Sequence, residues 1–267
     1  MSEHTEKLVD EHADRLLRKE NVVGVAGGDE KLLVYVTRKR PLSALDTADV
    51  VDEVIDDVET VVIETGEIRP LFAPGTSIGL RNQGTGTLGA VVRDIDRPHV
   101  RYALTNNHVA ANSNKAMALA AIHSPGPADG LGAVVGTLGR FEPIYFDRDN
   151  RVDAALVRLP DDTPLTHPGR TFTPQVRWSV HKVGRTTAHT IGTVTGNNAT
   201  ISVNFGTQGS ARFRGQIVTT NMLEAGDSGS LLTTSGGFPC GLCFAGGSRI
   251  SIHNPIRLAM DTLGFRF

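Results

Sequence analysis

Two hundred and sixty-seven residues, 39% of them hydrophobic and 21% charged, suffice to bury a sizeable core in one large domain or two small ones. Lys+Arg 27 against Asp+Glu 29 leaves a formal net charge of -2, so no global field draws the chain to nucleic acid or to an anionic membrane. Aromatic residues at 5% disfavour a base-stacking surface, and the 29 glycines favour a fold rich in tight turns.

The first stretch, MSEHTEKLVDEHADRLLRKEN, is acidic and amphipathic where a secretory leader is basic and then apolar, and no run approaches the length of a membrane span. A cytoplasmic location is expected, with neither membrane nor nucleic acid as partner. From Glu3 to about Lys19, Leu8, Val9, His12, Leu16 and Leu17 form a helical stripe. Asn21 to Gly28 and Lys31 to Lys39 predict two strands joined by the hairpin signal Gly27-Gly28-Asp29-Glu30. A short helix near Leu42 to Val51 and a strand from Val58 to Gly66 complete a small α+β unit, which offers no candidate nucleophile, base or phosphate-binding loop. Arg69-Pro70-Leu71-Phe72-Ala73-Pro74-Gly75 continues neither a central strand nor a helix, so the domain boundary is placed there, with residues 1–73 before it and 74–267 after it.

Beyond Gly75 short apolar runs recur: Gly86 to Val92, Val100 to Asn106, Ala133 to Gly139, Val152 to Leu159 and Ile217 to Thr220, each bounded by Gly, Pro, Asn or Asp. No helical segments alternate with them, so they predict a sandwich or a pair of barrels rather than a parallel sheet. Cys240 and Cys243 sit in the strand-like PCGLCF, where their spacing points the thiols to opposite faces and argues against a disulfide. A redox role needs a helix N-terminus and a zinc site needs a second ligand pair, so both are expected to be buried structural thiols, with no metal and no cofactor. At the end, Asn254 is expected to cap a helix that has Pro255 in its first turn and Ile256, Leu258, Ala259 and Leu263 as apolar content.

The chemistry concentrates in three places. Glu224-Ala225-Gly226-Asp227-Ser228-Gly229-Ser230 sets a serine among small residues, where the backbone turns tightly and presents amide N–H groups beside the hydroxyl. Such a serine needs a histidine to accept its proton and a buried carboxylate to orient that histidine. Tyr102 to Ala110 ends an apolar strand in TNNHVA, offering His108, and Asp153 leads directly into the apolar strand AALVRL. The rival acids Asp147, Asp149, Asp161 and Asp162 lie in polar stretches, and His181, His189 and His253 read as structural or surface residues.

His108, Asp153 and Ser228 follow one another at separations of 45 and 75 residues. In that order, LTNNHVAA, VDAALVRL and GDSGS resemble the chymotrypsin-fold serine peptidases over roughly Gly75 to Ile256. More narrowly, PGTSIG, GTLGAVV, VGRTTAHTIGTV and FAGGSRISIHNPI resemble prokaryotic relatives of the plant Narrow Leaf protease. The α/β-hydrolase alternative requires G-x-S-x-G and the order Ser, acid, His, and Ser230 stands at its last glycine.

The resemblance implies a mainly β fold of two six-stranded-type antiparallel barrels, with a small α+β unit before them and a helix after. It implies a His108, Asp153, Ser228 triad and an oxyanion hole made by the N–H groups of Gly226 and Ser228. Met222, at the base of the specificity pocket, and Phe244, Ala245 and Gly246, on the strand that pairs with substrate backbone, are the implied substrate-binding residues. Phe244 departs from the pattern of the extracellular members, which usually carry a serine there near the triad acid, and this bears on the support expected for Asp153. Asp227 matches an acid that in zymogens pairs with a newly cut N-terminus, and here its partner is open. The expectation is a serine endopeptidase acting on polypeptides, with a preference for a small or medium apolar side chain before the cut bond. Its rivals are a catalytically silent peptide-binding module and an esterase-like hydrolase. Regulation falls to the N-terminal unit or to self-association into a homo-oligomer.

Overall fold

Residues 3–66, 73–167 and 169–267 are described by the computed structural model, and they fall in two units, Met1–Leu71 and Phe72–Phe267. Arg69 to Phe72, within the expected boundary segment, lie outside the described residues.

In the first unit the predicted stripe forms the helix Glu3–Leu16, which buries Leu8 and Leu16 in a core with Leu32, Val34 and Val36, alternate residues of the strand Lys31–Val36. That strand pairs antiparallel with Val22–Gly27 and parallel with Val58–Glu64, which also carries the two-residue edge Val54–Ile55. The helix expected near Leu42 is instead two single 3-10 turns, Leu42–Ala44 and Thr47–Asp49. Neither has a side-chain cap or a buried residue, so nothing compensates the cost of nucleating an α-helix.

The second unit contains two curled, mostly antiparallel sheets, the mainly β arrangement expected from the sequence. The first runs in the order Phe265–Arg266, Ala90–Asp94, Arg101–Thr105, Ala155–Leu159, Ala133–Phe141, Ala121–Ser124, Ser77–Leu80, Thr85–Thr87. Of its eight strands, Phe265–Arg266 and Thr85–Thr87 are short edge strands that flank the other six. The second runs Asp149–Asn150, Ser210–Thr220, Ala188–Asn204, Ser179–Gly184, Leu231–Thr234, Pro239–Gly246, Ile250–Pro255. Ser210–Thr220 pairs again with Ile250–Pro255, Ile217 opposite His253, which closes six of these strands into a ring.

Two local expectations are corrected. The helix Ile256–Leu263 begins after Pro255 without any side-chain cap, and Asn254, still in the preceding strand, directs its amide elsewhere. Cys240 and Cys243 are free and buried, as expected, but both pack into one core with Val180, Val194 and Leu232 rather than on opposite faces. The pairing steps from Leu232 opposite Gly241 to Thr233 opposite Pro239, so Cys240 is the extra residue of a bulge, which resets the alternation.

Candidate active site

The strand Arg101–Thr105 ends in a single helical turn, Asn107–Ala110, that carries His108. Two buried asparagines pin this turn. Asn106 Nδ2 donates to Asp153 O at 2.6 Å, and Asn107 Nδ2 donates to Asn114 Oδ1 at 2.8 Å and to Glu142 O at 2.6 Å. Opposite them Asp153, flanked by the buried Val152 and Ala154, is itself fully buried. Its main chain is clamped by Asn254, whose Oδ1 accepts from Asp153 N at 3.0 Å while Nδ2 donates to Asp153 O at 3.1 Å. The carboxylate is thereby aimed at one residue: His108 Nδ1 donates to Oδ2 at 2.5 Å, and the His108 main-chain N–H donates to Oδ1 at 3.2 Å. With a carboxylate oxygen as the acceptor, the imidazole donates from Nδ1 and its Nε2 is the ring's other, acceptor nitrogen. Of the rival acids, Asp149 pairs with Arg212 and Arg214, and Asp161 pairs with Arg158.

The serine loop belongs to the second sheet. Asp227 N bonds Glu224 O at 3.0 Å, closing a turn in which Gly226 has φ +100. A Cβ at Gly226 would also collide with the Arg185 and Thr186 side chains, so glycine is required twice over. Among the described residues, the N–H groups of Gly226 and Ser228 bond to no protein acceptor, whereas those of Asp227 and Gly229 do. Thr87 of the first sheet grips this loop on both sides of Asp227: its N–H donates to Ser228 O at 2.8 Å and its hydroxyl to Gly226 O at 2.8 Å. Gly86 is wedged between Val109 and Ser228 O, so the residue after His108 and the serine main chain abut the same glycine. Ser228 Oγ donates to Phe244 O at 3.4 Å and makes no hydrogen bond to His108.

Asp227 finds its partner in Lys182, and both side chains are fully buried at 3.0 Å. The carboxylate also accepts from the Thr186 and Thr187 N–H groups at 3.1 Å each, from Thr187 Oγ1 at 2.6 Å and from the Glu224 N–H at 3.0 Å. Burial alone would raise the Asp227 pKa, but these donors outweigh it and hold the carboxyl below its ordinary range. Lys182 was legible in one respect. In Ser179–Gly184 it shares a face with the buried Val180 and Gly184, and a lysine at an inward position requires a buried anion.

A cavity of about 240 Å³ opens beside Ser228, lined by Leu223, Glu224, Ala225, Ala245, Gly246 and Gly247. Ala245 and Gly246 thus border the space beside Ser228. Met222 and Phe244 are buried just outside that lining. Met222 packs in the ring's core with Leu223 and Cys243, and Phe244 turns its ring onto Phe213, centroids 4.9 Å apart. His253 is fully buried between Thr219 Oγ1 at 2.9 Å and Cys243 Sγ at 3.1 Å, and burial pushes its pKa down to about 3. His181 and His189 stack on one another at the surface. Among the described residues, only Glu11, His12 and Asp56, in the first unit, bring three ligand-type side chains together.

No protein-family model matches the chain, and no curated protein matches it. Solved structures do. Thermobifida fusca Protease A is 20% identical with a TM-score of 0.53, covering 74% of this chain and 98% of its own. Nocardiopsis Protease is 17% identical with a TM-score of 0.55 over the same shares. Cellulomonas bogoriensis chymotrypsin is 20% identical with a TM-score of 0.52, over 73% and 97%. Likeness at this identity establishes the fold, and the fold of the second unit is that of the bacterial trypsin- and chymotrypsin-type serine proteases.

Proposed function

We propose that the chain is a serine endopeptidase. Ser228 rotates from Phe244 O toward His108, and its Oγ attacks the peptide carbonyl carbon as Nε2 takes the hydroxyl proton. The carbonyl oxygen, now anionic, is received by the N–H groups of Gly226 and Ser228, a kind of contact worth ~3 kcal/mol per donor in the transition state. The imidazolium returns the proton to the leaving nitrogen as the C–N bond breaks, and water then hydrolyses the acyl-enzyme with Nε2 again as base. Asp153 keeps the ring in the required tautomer.

The observation that carries this reading is the 2.5 Å hydrogen bond from His108 Nδ1 to the fully buried Asp153. An inaccessible carboxylate bonded to a part-exposed imidazole is costly to maintain for structure alone, and it leaves the other ring nitrogen free to act as a base. Lys182 supplies the cation for Asp227 from within the barrel, so the oxyanion turn is braced without a cut N-terminus. The cavity walls Leu223, Ala225 and Ala245 suit a small or medium apolar side chain before the cut bond. The narrower likeness to prokaryotic relatives of the Narrow Leaf protease stays part of this proposal, resting on the motifs PGTSIG and FAGGSRISIHNPI.

The hydrogen bond from Ser228 to Phe244 O favours one other reading, a peptide-binding module whose serine is parked away from its base. Incubation with an unfolded, labelled polypeptide separates the two. The proposal expects fragments from the wild type and none from folded Ser228→Ala, whereas fragments from neither, with peptide retained by both, would establish the silent module. Cleavage of small esters without fragments would instead point to an esterase.

A further inference from the structure

The hairpin Ala188–Asn204 and Ser210–Thr220 is longer than its barrel needs. The other strands of the ring engage residues 188–193 and 217–220 of it, and the remainder runs on beyond the ring, where the short strand Asp149–Asn150 pairs with Arg212 and Phe213. Its tip reaches the turn that carries His108. Gln208 Nε2 donates to Ser113 O at 3.1 Å, and the Phe205 ring stands edge-on to the His108 imidazole, centroids 6.3 Å apart at 70°. Phe205 is in turn backed by Phe146 at 5.8 Å and by Phe213 at 6.1 Å, and Phe213 leans on Phe244, whose carbonyl accepts the Ser228 hydroxyl.

Asp153 holds the imidazole at Nδ1 alone, and the ring retains freedom to swing about that hydrogen bond. A base must be held to about 0.5 Å and 10–20° to act, and a displacement near 1 Å costs on the order of a hundredfold. The edge contact with Phe205 restrains such a swing. From this geometry we propose that Phe205 is a positioning residue, fixing the His108 imidazole through an edge contact presented by the hairpin tip. This rests on the peptidase reading.

The test uses diisopropyl fluorophosphate on the purified full chain, because this small reagent needs Ser228 and its base but spans no peptide subsite. Phe205→Ala should phosphorylate at Ser228 about tenfold or more slowly, with the melting temperature little changed, and Phe205→Tyr should return to within about twofold of the wild type. Gln208→Ala, a milder release of the tip, should slow the reaction about threefold, and it decides the matter if Phe205→Ala does not fold. A wild-type rate in folded Phe205→Ala, or in Gln208→Ala where it must decide, would overturn the proposal. So would Phe205→Tyr being as slow as Phe205→Ala, and a change in peptide KM alone would mark Phe205 as a subsite wall instead. A wild type left unmodified at Ser228 would bring down the peptidase reading and this proposal with it, whereas a modified wild type with an indifferent Phe205→Ala brings down only the latter.

Discussion

Asp153 and Asp227 are both completely buried in the second unit, yet their surroundings are opposite in kind. Asp227 is saturated: five hydrogen bonds, one from a buried lysine, consume its carboxylate. Asp153 gives its carboxylate to His108 alone and is held instead by its main chain, through Asn106 and Asn254. A saturated carboxylate shapes the backbone around it, here the turn that frees the Gly226 and Ser228 N–H groups. A carboxylate anchored from behind leaves its charge for a partner that must change protonation state. On the proposed reading the first is architecture and the second is machinery, and substitutions should separate them.

The largest effect is expected at Asp153. Asp153→Asn should lower turnover by about 10⁴ with the fold retained, because the amide favours the wrong imidazole tautomer. Steady-state kinetics on whichever peptide is cleaved measures it, and a loss below tenfold would return the acid's role to a neighbour such as Asp149. Lys182→Met should act in the reverse sense, costing about 3–5 kcal/mol of folding stability by leaving a buried carboxylate without its cation. Urea denaturation reads this directly, and a cost below about 1 kcal/mol would mean that the threonine and main-chain donors suffice for Asp227.

A third effect is one of pH. The folded His253 pKa is depressed to about 3, against about 6.5 in an unfolded chain, so only the unfolded state takes up the proton between those values. Stability from this group is complete above about pH 6.5 and falls by about 1.4 kcal/mol per pH unit as the pH drops toward 3. Asp227, also held low, gives stability that is present above its unfolded pKa of about 4 and is lost as pH falls through its folded value. His253→Gln should therefore flatten the melting temperature between about pH 4 and 6.5 and leave the decline below it. An unchanged slope in that window would remove His253 as its source. The smallest effect concerns the cysteines. Burial pushes the Cys240 thiol up to about 12 and Cys243 higher still, so iodoacetamide should modify neither in the folded protein and activity should survive. Stoichiometric alkylation without unfolding would contradict that.

Much of the fold and of the candidate site was legible because the signals for it are local. The motif TNNH, a lone aspartate opening an apolar strand, and GDSGS each carry their meaning within a few residues. What escaped reading depends on contacts across the chain. Asn254 has the form of a helix cap, and only the closure of the ring brings its amide to Asp153, 101 residues away. Thr87 looks like any strand threonine until two sheets are folded together around the serine loop. Phe205 lies in a turn nearly a hundred residues after His108, with no pattern to link them. The bulge at Cys240 is likewise invisible to a period-two reading, since one unpaired residue inverts the faces that follow it.

The central claim, that His108 and Ser228 act as base and nucleophile, is tested most directly by fluorophosphonate labelling followed by intact mass and site mapping. Wild-type protein should gain a single adduct on Ser228, and folded His108→Ala should gain it slower by orders of magnitude. An adduct on any other residue, or equal labelling rates in the two proteins, would contradict the account.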